Sequence, residues 1–592
     1  MRGRPRSRHA CSGMTYQYLI LTAYTGMMNG PRGEGYRLTT EVVGPLPIIN
    51  HFVGRLRLDE VIAARMPANR TTGVGHAKCI SLLLRNILLA REPIYGLPEW
   101  AGPFRPSLLG LTREQVITLN DDKIGRSLDR LFDADRASLA TEIVVRAIRG
   151  FDLELDQIHN DSTTVTVHGE YKAATGRKKR GKETVKITFG KNKDHRSDLK
   201  QILWVLTVTA DGAVPVRYEA LDGNTSDSPT HIETWEAIRA LAGRPDFVYV
   251  SDSKLCVKET LTHIDSRGGL FVTVLPRSRK EDRLFREHVQ THSISWEEVD
   301  RKPNPRHPHG SEDVWRMVES PIPAADGYRL VWLWNSLMAE RDEEARKSMI
   351  ERAILAVEQL ETRLRSPRTR LRSREKVEAA AEAAIGQAAR RWVGFKVREE
   401  DEAKFKQEKR GRPGPSTKFK RIVRKRFHVD WTVDEDNIIY DSRSDGMFPL
   451  LTNCRDLPLK EVLGKYKFQP RIEKRHEQLK TVYAVAPVLL KNEDRVEALL
   501  FVYFLALLVE SLIEREVRQS MKRRGIKSIP LYYESRPCEA PTTDKILGVF
   551  ERVEVHHLAR AGTFVQTFQP ELTERQRFLI ELAGVPEEAY RV

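Results

Sequence analysis

The chain has 592 residues, too many for one hydrophobic core and enough for about three or four domains. Its 98 Lys and Arg against 82 Asp and Glu leave a formal charge of +16, which favours a polyanionic partner, nucleic acid first. The five cysteines, Cys11, Cys79, Cys256, Cys454 and Cys538, stand far apart without a CxxC pair; this argues against structural zinc and disulfides and for a reducing compartment.

Residues 1–39 form a basic N-terminus without the apolar stretch of a signal peptide, so a cytoplasmic protein is expected, with Met14, Met27 and Met28 as alternative starts. Residues 40–150 read as an all-helical domain rich in Arg and Lys. Ile48, Ile49, Phe52, Val53 and Leu56 recur at helical spacing, and further helices are expected near Gly75 to Arg91, Thr112 to Leu119 and Asp121 to Phe132. Such a module either binds DNA or only packs and oligomerises.

At Leu155 the pattern changes to β. Asp161, Thr163, Val165 and Val167 alternate with polar neighbours as in a half-buried strand. VKITFG (Val185 to Gly190) follows, then Gln201 to Thr209 and Ala213 to Leu221, joined through Asp211-Gly212 as a hairpin. A helix over Ser228 to Ala242, a strand at Phe247 to Val250 and a fifth strand at Gly269 to Leu275 complete the element order of a ribonuclease H-like mixed sheet, so an α/β fold is expected, with 151–276 as the first part of the core. Residues 277–455 are expected to interrupt that sheet as an insertion domain. It would hold a strand at Arg329 to Trp334, a helical hairpin (Met338 to Leu364, Glu375 to Arg391), a basic tract Lys409 to Phe427, and strands near Ile438 and Phe448. The basic tract reads equally as a solvated loop or a DNA contact. Residues 456–527 return to the core, and 528–592 read as a C-terminal appendage. The longest apolar run, Ala498 to Val509, is 12 residues, short of the roughly 20 of a membrane span, so it is read as a core helix.

Tyr466 to Lys480, YKFQPRIEKRHEQLK, is the densest stretch of candidate chemistry. Pro470 suits a first helical position, which puts Glu473 in the first turn and Glu473, Glu477 and Lys480 on one face at 3.6 residues per turn. Two-metal phosphoryl transfer needs carboxylates that meet in space, and hard oxygen ligands suit Mg²⁺. Asp161 on the first strand and Asp252 at the end of the fourth would lie side by side, with the Glu473 helix crossing beside them. Each has a plainer alternative: Asp161 as a turn or cap aspartate, Asp252 bonding loop amides, Glu477 in place of Glu473.

The run resembles the DDE transposases of bacterial insertion sequences, in the group whose Glu helix carries a Y-x2-R-x3-E-x6-K signature. Tyr466, Gln469, Glu473 and Lys480 stand at those spacings, with Gln469 in place of Arg and Arg471 close by. Asn160 to Tyr171, Gly190 to Gln201, Gly223 to His231 and Val250 to Lys254 resemble the family's other blocks in order, with Ser253-Lys254 after the second acid where the family usually shows Arg-Gly. VGPLPIINHF and LTERQRFLIELAGVPEEAY resemble one subgroup. The resemblance implies a catalytic triad of Asp161, Asp252 and Glu473 holding Mg²⁺, with Mn²⁺ as a substitute. It also implies cleavage at element ends that frees a 3′-hydroxyl for attack on target DNA. Tyr466, Arg471 and Lys480 would meet the DNA backbone, with Lys193 and Arg196 as auxiliaries. Double-stranded DNA, a homodimer in the DNA complex and a bacterial, nucleoid-associated setting are the corresponding expectations. Two alternatives stand beside it: a catalytically impaired, transposase-derived DNA-binding protein, and a ribonuclease H-like nuclease without strand transfer.

Overall fold

A computed structural model describes residues 35–592 apart from 67–72, 173, 195, 227–229, 305–309, 311 and 484–489. The alternative starts and the N-terminal end of the expected Ser228 helix lie outside the described residues.

The first described element is a strand, β1 (Tyr36–Val42), not a helix. Helices α1 (Leu46–Arg55), α2 (His76–Leu89), α3 (Asp121–Asp133) and α4 (Arg136–Phe151) follow. Short polar side chains start two of them, Asn120 accepting from the Lys123 amide and Asp135 from the Ser138 amide. Their apolar faces, including Phe52, Leu84, Leu128 and Ile143, join one continuous core with the later strands and helices.

The chain then lays down β2 (Gln157–Val167), β3 (Lys200–Thr209), β4 (Pro215–Leu221), helix α5 (Thr230–Ala242), β5 (Val248–Ser251), helix α6 (Lys258–Ser266) and β6 (Leu270–Val274). Strands β2, β3 and β4 are antiparallel neighbours, whereas β5 runs parallel to β2 and β6 parallel to β5. The β3–β4 turn is the expected Asp-Gly. Gly212 has φ +83°, and a Cβ there would stand 2.9 Å from Arg515 Cβ, so only glycine fits without a shift. VKITFG is not a strand: Thr188 makes only an isolated bridge to Gln201.

The segment after β6 does not interrupt the sheet but widens it. Strands β7 (Glu297–Lys302), β8 (Asp313–Glu319) and β9 (Arg329–Asn335), and β12 (Met447–Thr452) further on, extend it to nine strands in the order β4-β3-β2-β5-β6-β12-β9-β8-β7. Between β9 and β12 stand a helical hairpin, α7 (Ser336–Arg365) and α8 (Arg374–Ala389), and a separate two-stranded ribbon, β10 (Val393–Gln407) with β11 (Phe419–Val433). The second half of the basic tract, from Phe419, is therefore strand. The residues around Ile438 are helical, Glu435–Ser442, because the Asp434 carboxylate accepts from the Asn437 amide and starts a helix.

Helices α9 (Leu459–Tyr466) and α10 (Gln469–Glu477) lead into one π turn, Gln478–Val482, and then α11 (Glu493–Arg523). Among the described residues α11 is the one helix long and apolar enough to cross a membrane, yet 89% of its apolar window is buried within the fold. A helix apolar on all sides belongs in a core, and this one packs against α1, α2, α3 and β4. The C-terminal segment is tied back to the start: β13 (Glu554–Arg560) pairs with β1 on one side and with β14 (Thr563–Phe568) on the other.

Candidate active site

Strand register sets two of the acids abreast. Gln157, Ile158 and His159 of β2 lie abreast of Val248, Tyr249 and Val250 of β5, so two residues further on Asp161 comes level with Asp252. The Ser251 hydroxyl donates to the Asn160 carbonyl at 2.9 Å and Thr273 Oγ1 to the Asp252 carbonyl at 2.7 Å, which pins both strand ends. Asp252 also does what its plainer alternative proposed: Oδ1 accepts from the Lys254 amide at 2.9 Å.

Helix α10 is latched over β2 by Gln469. At 2.8 Å the Gln469 amide oxygen accepts from His159 Nδ1, while Gln157 Nε2 donates to His159 Nε2, also at 2.8 Å. Burial drives the His159 pKa down to about 4, so the ring is neutral with its proton on Nδ1. Gln469 Nε2 also donates to the Asn160 carbonyl at 3.4 Å. The glutamine standing where the signature has arginine is thus a buried clasp. On the far side of α10, Arg475 forms a buried ion pair with Glu514 at 3.0 Å and donates to the Gly212 and Ala213 carbonyls, both at 3.0 Å.

The helix begins at Gln469, one residue earlier than expected, so Glu473 falls beyond the first turn and outside the strongest field of the helix dipole. Its carboxyl pKa is raised, by partial burial and then by the charge of Asp161. That of Asp252 is raised too, by burial first and then by Asp161; its Lys254 hydrogen bond, Lys193 and His231 pull the other way. Both acids therefore lie within the field of Asp161, and the like charges repel. Among the described residues no three His, Cys, Asp or Glu side chains are drawn together into a preformed metal cage.

Around the acids, Lys193 Nζ donates to Ser162 Oγ at 2.7 Å and lies 3.7 Å from Asp161 Oδ1. Tyr466 is half-buried against Phe448, and its hydroxyl pKa is pushed up to about 12 by burial and by the charges of Glu473 and Asp252. Lys480 is held by Asp194 at 2.7 and 2.8 Å. Arg471 is exposed, its guanidinium 5.4 Å from the Phe468 ring centroid. Arg196 does not join the group: it forks onto Asp198 at 2.8 Å on the open surface. Sequence reasoning missed His476, three residues past Glu473. It is buried with Nε2 3.6 Å from Asp161 Oδ2, and burial, Lys193 and Lys480 drive its pKa down to about 3. It also missed the polar layer below the acids, where Asn160 Oδ1 accepts from Thr207 Oγ1 at 2.9 Å and His231 approaches the Tyr249 hydroxyl at 3.1 Å. Asn160 and His231 stand in the motif blocks already singled out, which was the available signal.

A family model described as a domain of unknown function, DUF4277, matches residues 38–145. No curated protein matches the chain. Among solved structures, a piggyBac transposase synaptic complex with hairpin DNA is similar at a TM-score of 0.35 and 8% identity, over 93% of this chain and 81% of that one; a likeness at that level carries no argument about function.

Proposed function

We propose that the chain is a DNA transposase that nicks and joins duplex DNA at the ends of a mobile element. Asp161, Asp252 and Glu473 hold the divalent cations, Mg²⁺ or in its place Mn²⁺. One observation carries the reading: Asp161 on β2 comes level with Asp252, the residue just after the parallel strand β5, and the Glu473 helix is clasped to β2 so that its acid lies in the field of Asp161. The order β4-β3-β2-β5-β6, with the first three antiparallel and the last two parallel to β2, supports a ribonuclease H-like core.

When bound, the cations supply charge stabilisation at the attacking and leaving oxygens. The chain's own residues supply position and local charge. Two clasps on opposite sides of α10 hold Glu473 on a rigid element, as a site needs for fixed geometry. Tyr466 keeps its proton at neutral pH and can donate to a phosphate oxygen. Lys480 meets DNA by exchanging Asp194 for a phosphate, and Arg471 offers an exposed guanidinium on the same helix.

The test is Mg²⁺-dependent nicking and joining of DNA carrying the element's terminal repeats. Asp161→Asn, Asp252→Asn and Glu473→Gln should each lower the rate by about a thousandfold or more, equivalent to about 4 kcal/mol of barrier. Undiminished cleavage in all three defeats the proposal, and nicking without joining reduces it to a nuclease.

A further inference from the structure

We propose that the outer part of the β10–β11 ribbon is a second, separate duplex-DNA contact, an arm that enters the major groove. The inference rests on the reading of duplex DNA as substrate but not on the chemistry of the acids.

The two strands stay in continuous register from Val393 opposite Val433 to Gln407 opposite Phe419. Directly opposed residues share a face, so each face can be followed outward. At the base, Val393, Phe395, Val397, Phe427 and Val429 pack on α7 and α8 in a hydrophobic cluster of their own. Further out no described residue buries the ribbon. From 404 to 426 the sequence has eleven Lys or Arg and one acid, Glu408. Lys425 and Arg426, nearest the base, are paired with Glu399 at 2.8 Å and Glu402 at 2.9 Å. Lys406, Lys420, Arg421 and Arg424 have no ion pair among the described residues, and Lys406 stands directly across from Lys420. Like charges opposed across strands destabilise a ribbon, so this pair opposes the ribbon's own stability and is relieved by a polyanion.

Shape agrees with charge. The uncovered part runs about seven residues per strand, roughly 23 Å, and a B-form major groove about 12 Å wide admits a two-stranded ribbon. The face bearing Lys406, Lys420 and Arg424 turns to the groove, with phosphates on both walls. The other face exposes Phe405, Phe419 and Val423 at 67%, 50% and 50%, an apolar seat that a second copy of the chain could occupy. Charge decides against that occupant, because a second copy would bring the same cations to the same place.

The experiment compares the full chain with a variant carrying Lys406→Gln, Lys420→Gln, Arg421→Gln and Arg424→Gln, all exposed positions, on a mixed-sequence duplex of about 30 base pairs. Binding is followed by fluorescence anisotropy between about 50 and 200 mM salt. The slope of log affinity against log salt should become shallower by about two to three, roughly 0.9 for each of the groove-facing Lys406, Lys420 and Arg424, with affinity down about 10- to 100-fold. An unchanged slope and affinity overturn the arm while leaving the proposed chemistry standing; no duplex binding by the parent at low salt overturns both. A matched RNA duplex, whose deep, narrow major groove excludes a ribbon, should compete poorly, and equal competition overturns the groove placement. If Phe405→Ser with Phe419→Ser abolishes a dimer seen by sedimentation while the glutamine variant binds DNA normally, the ribbon is a seat for a second copy and the proposal fails.

Discussion

The half of the sheet that carries Asp161 and the half that begins at β12 are joined by the same backbone ladder but bury different chemistry. Beneath the acids, β2, β3 and β5 bury His159, Asn160, Thr207 and Ser251, each tied to a neighbour by a hydrogen bond. The other half closes over Met317, Val331, Leu333 and Leu450, with Trp332 stacked on Phe285 at 3.9 Å between ring centroids. Burying polar groups costs stability unless every one is paired, and even then gains less than apolar packing. The other half also buries Asn335 and Thr452, each hydrogen-bonded, but the layer below Asp161 lies under acids in its field, and there the fold gives up stability for position.

The sharpest way to break that comparison is to cut one of its polar ties. Arg475→Met removes the nearer of two arginine partners of buried Glu514, Arg518 remaining at 3.3 Å, and the donors to the Gly212 and Ala213 carbonyls. It should cost about 3–5 kcal/mol of unfolding free energy in urea, since a buried ion pair is broken and two carbonyls lose their donors; a loss below about 1 kcal/mol would place the anchor of α10 elsewhere. Leu333→Ala, in the apolar half, should cost about 2–5 kcal/mol through the cavity it leaves. Its nicking rate per folded molecule should stay at the parent's value, and a matching drop in that rate would erase the distinction between the halves. Gln469→Ala leaves His159 Nδ1 without an acceptor and should cost about 1–3 kcal/mol. Nicking should fall by more than the unfolded fraction explains, because α10 loses its clasp on the strand bearing Asp161.

What could be read in the sequence, and what could not, follows the same division. The alternation of Asp161, Thr163, Val165 and Val167, the Asp211-Gly212 turn and the order of the acids are local patterns, and the strands and hairpin form where those patterns placed them. The widening of the sheet was hidden because β7 is largely exposed and β8 only partly buried, and neither has a continuous apolar face. The ribbon was hidden because both faces of its outer part meet solvent, which erases period-two patterning, while Gly411, Pro413, Gly414 and Pro415, which only connect the strands, read as a loop. Neighbouring Ile438 and Ile439 suggested a strand, and the capping Asp434 three residues before Asn437 was the overlooked sign of a helix. Gln469 read as a departure from a signature because its partners, His159 and Asn160, are about 310 positions away in sequence.

The smallest expected effect has an unusual sign. Asp252 has a folded pKa above its unfolded value because of burial and the charge of Asp161. Below the unfolded value, about 3.9, the carboxyl is neutral in both states and carries no penalty. As pH rises the unfolded chain loses its proton first, so the native state is progressively disfavoured until pH passes the folded value, and the penalty persists at pH 7. Asp252→Asn keeps an acceptor for the Lys254 amide and removes the charge. It should therefore be more stable than the parent at pH 7 and indistinguishable from it near the unfolded pKa, in paired thermal melts across that range. Mg²⁺ at a hundredfold excess over Kd should stabilise the parent by about 2.7 kcal/mol, read as a higher melting temperature, and stabilise the variant less. A variant that melts lower than the parent at pH 7 would mean that the acids are already compensated within the chain, and the cost of placing like charges together would no longer point to a cation.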